Sequence, residues 1–140
     1  IYDDGAKILR VIDSLFIKQK TGHHIKSRAS YTEVIGNEIS DGMDGNASYA
    51  IDISNGGSVL IENNIIQKGP LSDNKTTAIC IACEGGRNET KSIVVKNNKF
   101  INNTSRSVVF LRNLTSTEEM LENNILKGGK TILVDREYAE

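Results

Sequence analysis

Three stretches of this sequence share one pattern: a hydrophobic residue and a spacer, then paired asparagines and further apolar residues. They read IENNIIQKG at 61–69, VKNNKFINN at 95–103 and LENNILKGG at 121–129. The second asparagine of each stretch serves as an anchor, at Asn64, Asn98 and Asn124. The segments VIGNEIS and VIDSLFI add equivalent positions at Asn37 and Ser14. The chain therefore contains five related units.

The spacing of these anchors indicates stacked coils. Successive anchors are 23, 27, 34 and 26 residues apart, and repeats of roughly 20 to 50 residues are typical of stacked architectures. Each unit contains a strand that ends at the anchor, a turn, a short apolar pair, a loop and a closing strand. The apolar runs are short, rich in β-branched residues and bounded by Gly, Asn, Ser or Thr. The pattern predicts parallel strands with aliphatic side chains stacked inside the coil.

The asparagines themselves have two possible roles in such a coil. Asparagine tolerates the left-handed backbone of a sharp corner, and identical amides in adjacent rungs can form a hydrogen-bonded ladder. We expect both roles at the anchors. The preceding residue of each pair, Asn63, Asn97 or Asn123, is a second candidate for the corner.

Length and charge restrict the possible partners. The 140 residues suit one domain, and we expect residues 1–140 to form a single β-helix domain, with a fragment of a longer solenoid as the alternative. The 17 Lys and Arg residues balance 18 Asp and Glu residues, so no nucleic-acid partner is predicted. No apolar stretch approaches the roughly 20 residues of a membrane span, so no membrane partner is predicted.

The two cysteines, Cys80 and Cys83, lie three residues apart in the apolar stretch AICIACEGG. Alternation along a strand points residues with this spacing to opposite faces. We therefore expect no disulfide and no shared metal, but two small hydrophobic side chains packed against a sheet. The cysteines then give no indication of an oxidising compartment.

The repeat from Ala6 to Asp135 resembles the right-handed parallel β-helix superfamily, the pectate-lyase-like fold of pectate lyases, alginate epimerases and phage tailspikes. The segments TGHHIKSRASYTEVIGNEISDG, ASYAIDISNGG and IIQKGPLSDN resemble an uncharacterised bacterial subgroup with a GHHIKSRA-type motif. The resemblance implies an all-β, right-handed single-stranded parallel β-helix of about five rungs. It also implies association with an acidic polysaccharide and a periplasmic or extracellular location.

Alternation along the closing strands predicts which polar side chains face outward. Ile25 is the expected core residue of GHHIKSRA, and Tyr49 is expected to point inward with Ile51 and Ile53. The outward polar residues then form a band along one sheet: His24, Lys26, Arg28, Asp52, Glu84 and Arg112.

Lyases and C5-epimerases of uronic-acid polymers need a cation for the sugar carboxylate and a base for the C5 proton. Lys26 or Arg28 is the candidate cation, and His24 or a lysine is the candidate base. Tyr49 or Tyr31 is the candidate acid. Asp52, Glu84 and Arg112 are candidate substrate-binding residues. The alternative is cross-strand charge pairing on a solvated face, with no catalysis.

Two further possibilities remain open. No cofactor is predicted, although Asp41, Asp44 and Asn46 in SDGMDGNAS offer oxygen ligands suited to Ca²⁺, with a polar turn as the alternative. The second functional class is a structural or assembly solenoid that forms homo-oligomers through its rung ends, because open strand edges favour pairing. The absence of Trp weakens the polysaccharide hypothesis, since sugars stack on aromatic rings.

Overall fold

The computed structural model of this chain describes residues 1–136. Within these residues the chain forms β1 Tyr2–Asp3, β2 Ile8–Ile12, β3 Leu15–Ile17, β4 Ile25–Ser27, β5 Tyr31–Ile35, β6 Glu38–Ser40, β7 Ile51–Ile53, β8 Ser58–Glu62, β9 Ile65–Lys68, β10 Thr77–Ile81, β11 Ile93–Lys96, β12 Lys99–Asn102, β13 Val108–Asn113, β14 Glu119–Glu122, β15 Ile125–Gly128 and β16 Thr131–Asp135. The predicted domain ran to residue 140, so residues 137–140 lie outside the described part.

These strands form three sheets in which all neighbours are parallel. Sheet 1 has the order β1-β4-β7-β10-β13-β16, sheet 2 the order β14-β11-β8-β5-β2, and sheet 3 the order β15-β12-β9-β6-β3. Each coil contributes one strand to each sheet, which gives a parallel β-solenoid of about five turns. The all-β prediction is confirmed, and no helix occurs in residues 1–136.

The core consists of three stacks of apolar side chains, one behind each sheet. In sheet 1 the residues in register are Ile25, Ile51, Ile79, Leu111 and Val134. In sheet 2 they are Val11, Val34, Ile61, Val95 and Leu121. In sheet 3 they are Phe16, Ile39, Ile66, Phe100 and Leu126. The stacks confirm the predicted interior, because every coil places a hydrophobic residue at the same register position in each sheet.

The anchor residues form a continuous ladder between sheets 2 and 3. The backbone N–H of Asn37 donates to Oδ1 of Asn64 at 2.9 Å, and Asn64 N–H donates to Asn98 Oδ1 at 3.0 Å. Asn98 N–H donates in turn to Asn124 Oδ1 at 3.1 Å. The Nδ2 group of Asn64 also donates to the carbonyl of Val34 at 2.8 Å. Each amide therefore satisfies buried backbone groups of its neighbouring coils.

The left-handed corner lies one residue before each anchor. The φ angles are 58° at Asn63, 56° at Asn97 and 52° at Asn123, whereas the anchors have ordinary backbone. The expectation that the anchors take the left-handed conformation is therefore wrong. The two asparagines of each pair have different roles. The first adopts the left-handed backbone of the corner, and the second forms hydrogen bonds to the adjacent coils.

We expect Asn64→Ala to lower the free energy of unfolding by about 3 kcal/mol, because Val34 O and Asn37 N–H lose their partners in a buried position. Urea unfolding followed by circular dichroism measures this change. The matched control is Asn63→Gly, which should change stability by no more than about 1 kcal/mol because glycine readily adopts positive φ. Equal losses in the two variants would contradict this role of the ladder.

Candidate functional site

The predicted site residues belong to the turns and strands of sheet 1, but His24 does not face outward. Its side chain is only 2% exposed, and its Nε2 lies 2.8 Å from Oδ1 of Asp41. The outward prediction is wrong because β4 begins at Ile25. His24 belongs to the preceding turn, where strand alternation does not apply.

Tyr49 and His23 also differ from the prediction. Tyr49 was expected to point inward, but it is half-buried and precedes β7, while Ala50 is part of the core. Its ring stacks on His23, with centroids 5.1 Å apart and an angle of 13° between the planes. Strand alternation thus predicted the wrong histidine at the surface, because His23, rather than His24, adjoins the outer charged residues.

Four of the predicted side chains do come together on the outer face of sheet 1. Register pairs Lys26 with Asp52 in the adjacent strand, and Lys26 Nζ lies 3.7 Å from Asp52 Oδ2. Glu84, from the turn after β10, lies 3.0 Å from Lys26 Nζ and 3.2 Å from Arg28 Nη2. We call His23, Lys26, Arg28, Asp52 and Glu84 the charged cluster.

Asp52 lies at the base of this cluster. Its Oδ2 accepts a hydrogen bond from Ser54 Oγ at 2.8 Å and lies 3.4 Å from Nε2 of His23. Its Oδ1 is buried and has no hydrogen-bond partner among residues 1–136. Burial raises the pKa of Asp52, although the Ser54 hydrogen bond and the neighbouring cations oppose this shift.

His23 is held in one tautomer by its neighbours. The backbone N–H of Tyr49 donates to Nδ1 of His23 at 3.0 Å, so the proton of the neutral ring resides on Nε2, which faces Asp52. Burial lowers the pKa of His23, with Asp52 opposing the shift. The ring therefore has no free lone pair for a substrate proton in this conformation.

Beside the charged cluster lies an open groove of about 570 Å³, lined by Ile1, Tyr2, Gln19, Gly22, His23 and Lys26. Lys26 Nζ is 5.6 Å and Arg28 Cζ is 5.8 Å from the centroid of the Tyr2 ring. Arg28 Nε also donates to the Tyr2 hydroxyl at 3.1 Å, which raises the pKa of Arg28. The groove thus combines cationic groups with a tyrosine ring.

Arg112 and Tyr31 lie apart from the cluster. Arg112 is in the same outward row of sheet 1, but β10 separates its strand from that of Asp52, and its Nη2 lies 3.1 Å from Asp135 Oδ2. Tyr31 is in β5 of sheet 2, where its hydroxyl donates to Glu33 at 2.8 Å. Whether any of the predicted residues binds a substrate stays a prediction.

Cys80 and Cys83 form a disulfide, with their Cα atoms 6.0 Å apart. The prediction that they do not bridge is wrong. The strand β10 ends at Ile81, and Ala82 takes a φ of 64° at the start of the turn that follows. Alternation therefore ends before Cys83, whose side chain returns toward that of Cys80. Cys80 is buried, and Cys83 is partly exposed.

A second group of polar side chains lies inside the solenoid: His24, Asp41, Lys68 and Ser72, which we call the buried polar cluster. Lys68 Nζ donates to Ser72 Oγ at 2.9 Å and to the Ser48 carbonyl. Burial lowers the pKa of Lys68 to about 8, although Asp41 and Asp73 oppose the shift. We did not predict this cluster, but alternation from the buried Ile66 along β9 also points Lys68 inward.

Two of the three residues considered for Ca²⁺ already have side-chain hydrogen bonds within the protein. Asp41 accepts hydrogen bonds from His24 and from Gly69 N–H, the latter at 3.1 Å, and Asn46 Oδ1 accepts from Thr21 N–H at 2.9 Å. Residues 1–136 contain no group of three or more His, Cys, Asp or Glu side chains suited to a metal ion. A calcium site stays a prediction.

No helix in the described part of the chain is long and apolar enough to cross a membrane. Comparisons with family models, with curated proteins and with solved structures found no match. The parallel solenoid is thus shown by its strand topology, whereas membership of the pectate-lyase-like superfamily stays a prediction.

We expect the buried position of Lys68 to make stability depend on pH. Its folded-state pKa of about 8 is below the ordinary value of 10.5, so stability falls as the pH is lowered from 10.5 to 8, and no further loss occurs below pH 8. Between pH 7 and about 9.5 the unmodified protein should gain about 2 kcal/mol of unfolding free energy relative to Lys68→Met. Urea unfolding at several pH values measures this difference.

The control for this experiment is Lys127→Met, which removes an exposed lysine from β15. Its stability should follow the same pH profile as that of the unmodified protein. A Lys68→Met profile parallel to the unmodified one would show that Lys68 does not titrate differently in the folded and unfolded states.

Proposed function

We propose that this protein binds an acidic polysaccharide on the outer face of sheet 1. One observation carries the proposal: two cations, Lys26 and Arg28, converge on a single carboxylate, that of Glu84, beside a groove with a tyrosine ring. The Glu84 side chain is 45% exposed. A uronate carboxylate of a ligand can therefore replace it and bind both cations.

The surroundings of the two cations suit a sugar better than a simple anion. Tyr2 lies beside Lys26 and Arg28, and the stacked pair of His23 and Tyr49 adjoins them. Flat rings provide apolar faces on which a pyranose ring can pack, and the tyrosine hydroxyls provide hydrogen-bonding groups. The groove is open at the surface, so it accepts an internal segment of a polymer.

Binding is better supported than β-elimination or epimerisation. The predicted base, His24, is buried against Asp41, and the Nδ1 lone pair of His23 accepts the Tyr49 N–H. Lys26 is paired with two carboxylates. Within residues 1–136, these contacts engage the imidazole and lysine groups predicted as the base, whereas proton abstraction at C5 requires a free one. A lyase or C5-epimerase activity is therefore the less favoured form of the proposal.

Isothermal titration with hexagalacturonate tests the proposal, with neutral maltohexaose as the ligand control. We expect Lys26→Met to weaken hexagalacturonate binding about tenfold, because a cation that contacts the ligand carboxylate is lost. Lys96→Met is the matched control, since Lys96 pairs with Glu62 at 3.7 Å on sheet 2. Absence of binding, or equal weakening by both substitutions, would reject this site.

A second function is favoured by a different observation. Among the described strands, those of the first and last coils each have only one neighbour, and these coils expose several large apolar side chains. They include Ile8, Leu15 and Ile17 at one end and Met120, Ile125 and Ile132 at the other. Open edges with apolar side chains favour pairing, so we also propose assembly of copies through the ends of the solenoid.

Sedimentation equilibrium tests this assembly. We expect concentration-dependent association that Leu15→Lys weakens, because a charge at the first coil disfavours apolar contact between ends. Leu71→Lys changes an equally exposed leucine in a loop away from the terminal coils and should have no effect. A monomer at every concentration would eliminate the assembly function.

A further inference from the structure

Glu84 is covalently adjacent to the disulfide. It follows Cys83 in the chain, and its carboxylate forms ion pairs with both Lys26 and Arg28. The hydrogen bond from Lys26 is the main cause of the lowered pKa of Glu84, so the carboxylate is ionised when it blocks these cations.

Besides the disulfide, the turn that carries Glu84 is held by backbone hydrogen bonds of Ala82 and Asn88 to the preceding coil, and Ala82 is part of the buried core. The backbone of Glu84 donates to Ser54 O at 2.9 Å, and Gly85 N–H donates to Ala82 O at 3.0 Å. Ala82 has a φ of 64°, a conformation that a residue with a Cβ disfavours. Gly85 and Gly86 follow, with no atom within 4 Å of the position of an added Cβ. Without the covalent link, the exposed segment between Ala82 and Asn88, which includes Glu84 and two glycines, is held less firmly.

We propose that the Cys80–Cys83 disulfide gates the anion site: the oxidised form holds Glu84 on Lys26 and Arg28, and reduction by a dithiol frees both cations for an acidic saccharide. This inference rests on the proposed polysaccharide-binding function and adds its regulation. The oxidised protein is then the weaker binder, and reduced protein the stronger one.

Thiol–disulfide exchange with the dithiol begins at the more exposed sulfur, that of Cys83. A thiolate of the dithiol attacks Sγ of Cys83, which is partly exposed, and the electron pair of the broken S–S bond leaves on Sγ of Cys80. The second thiol of the reductant then displaces Cys83 from the mixed disulfide. The dithiol becomes a cyclic disulfide, and two protons complete the thiols of Cys80 and Cys83.

Arg112 is placed to assist the first step. It lies directly opposite Cys80 in the neighbouring strand, so both side chains leave the same face of sheet 1. Its Nε is buried and has no hydrogen-bond partner within residues 1–136. The guanidinium also pairs with Asp135, but its positive charge on this face of the sheet favours release of the Cys80 thiolate.

Titration of hexagalacturonate into oxidised and dithiothreitol-reduced protein tests the gate. We expect reduction to tighten binding about fivefold, because the Glu84 carboxylate no longer competes with the ligand for Lys26 and Arg28. The double variant Cys80→Ser with Cys83→Ser should bind as tightly as reduced protein with or without dithiothreitol. Glu84→Gln should bind tightly in both redox states, because its amide no longer competes for the cations.

Two controls separate the possible failures. Circular dichroism must show the same β-structure in every form, and thiol titration under denaturing conditions must give two thiols only after reduction. Two thiols before reduction would overturn the gate. If Glu84→Gln binds tightly but reduction leaves the dissociation constant of the unmodified protein unchanged, the gate alone is overturned. Absence of binding by Glu84→Gln would overturn the polysaccharide-binding function as well.

Discussion

The hydrogen bonds between successive anchor asparagines fix the register on which the rest of this structure depends. Asn37, Asn64, Asn98 and Asn124 are hydrogen-bonded one to the next. Every coil therefore begins its strand in sheet 3 directly above the corresponding strand of the coil before it. That constraint aligns the three apolar stacks and sets which side chains become neighbours across strands. The proximity of Lys26 to Asp52 belongs to the same stacking, since the register of β4 and β7 in sheet 1 pairs these two residues.

The outer and inner polar groups differ in how they tolerate charge. In the charged cluster, the Glu84 carboxylate lies near solvent and pairs with Lys26 and Arg28 without a large desolvation penalty, whereas Asp52 is buried beneath it. Lys68 is enclosed by protein, and its ammonium loses hydration that hydrogen bonds only partly replace. The first arrangement is suited to exchange with an outside ion, while the second links loops of neighbouring coils within the fold.

The sequence predicted the fold well because its signal is repeated. Five equivalent units reinforced the period, and an error of one residue in any unit would have been evident from the others. The site was harder to predict because its residues lie where strands end. Alternation failed for His24, Tyr49 and Cys83, each in a turn whose backbone direction depends on φ angles and on coil bending. The partners of Lys68 come from separate loops, so local sequence contains no sign of them.

The longest interval between anchors, the 34 residues from Asn64 to Asn98, includes both the disulfide and Glu84. The ladder is continuous across this interval, since Asn64 and Asn98 are bonded as directly as anchors that are closer in sequence. Coil stacking is thus independent of the length of the excursion between anchors. A lineage of such proteins can alter ligand preference or redox response by exchanging one loop, while the interior that determines folding is inherited unchanged.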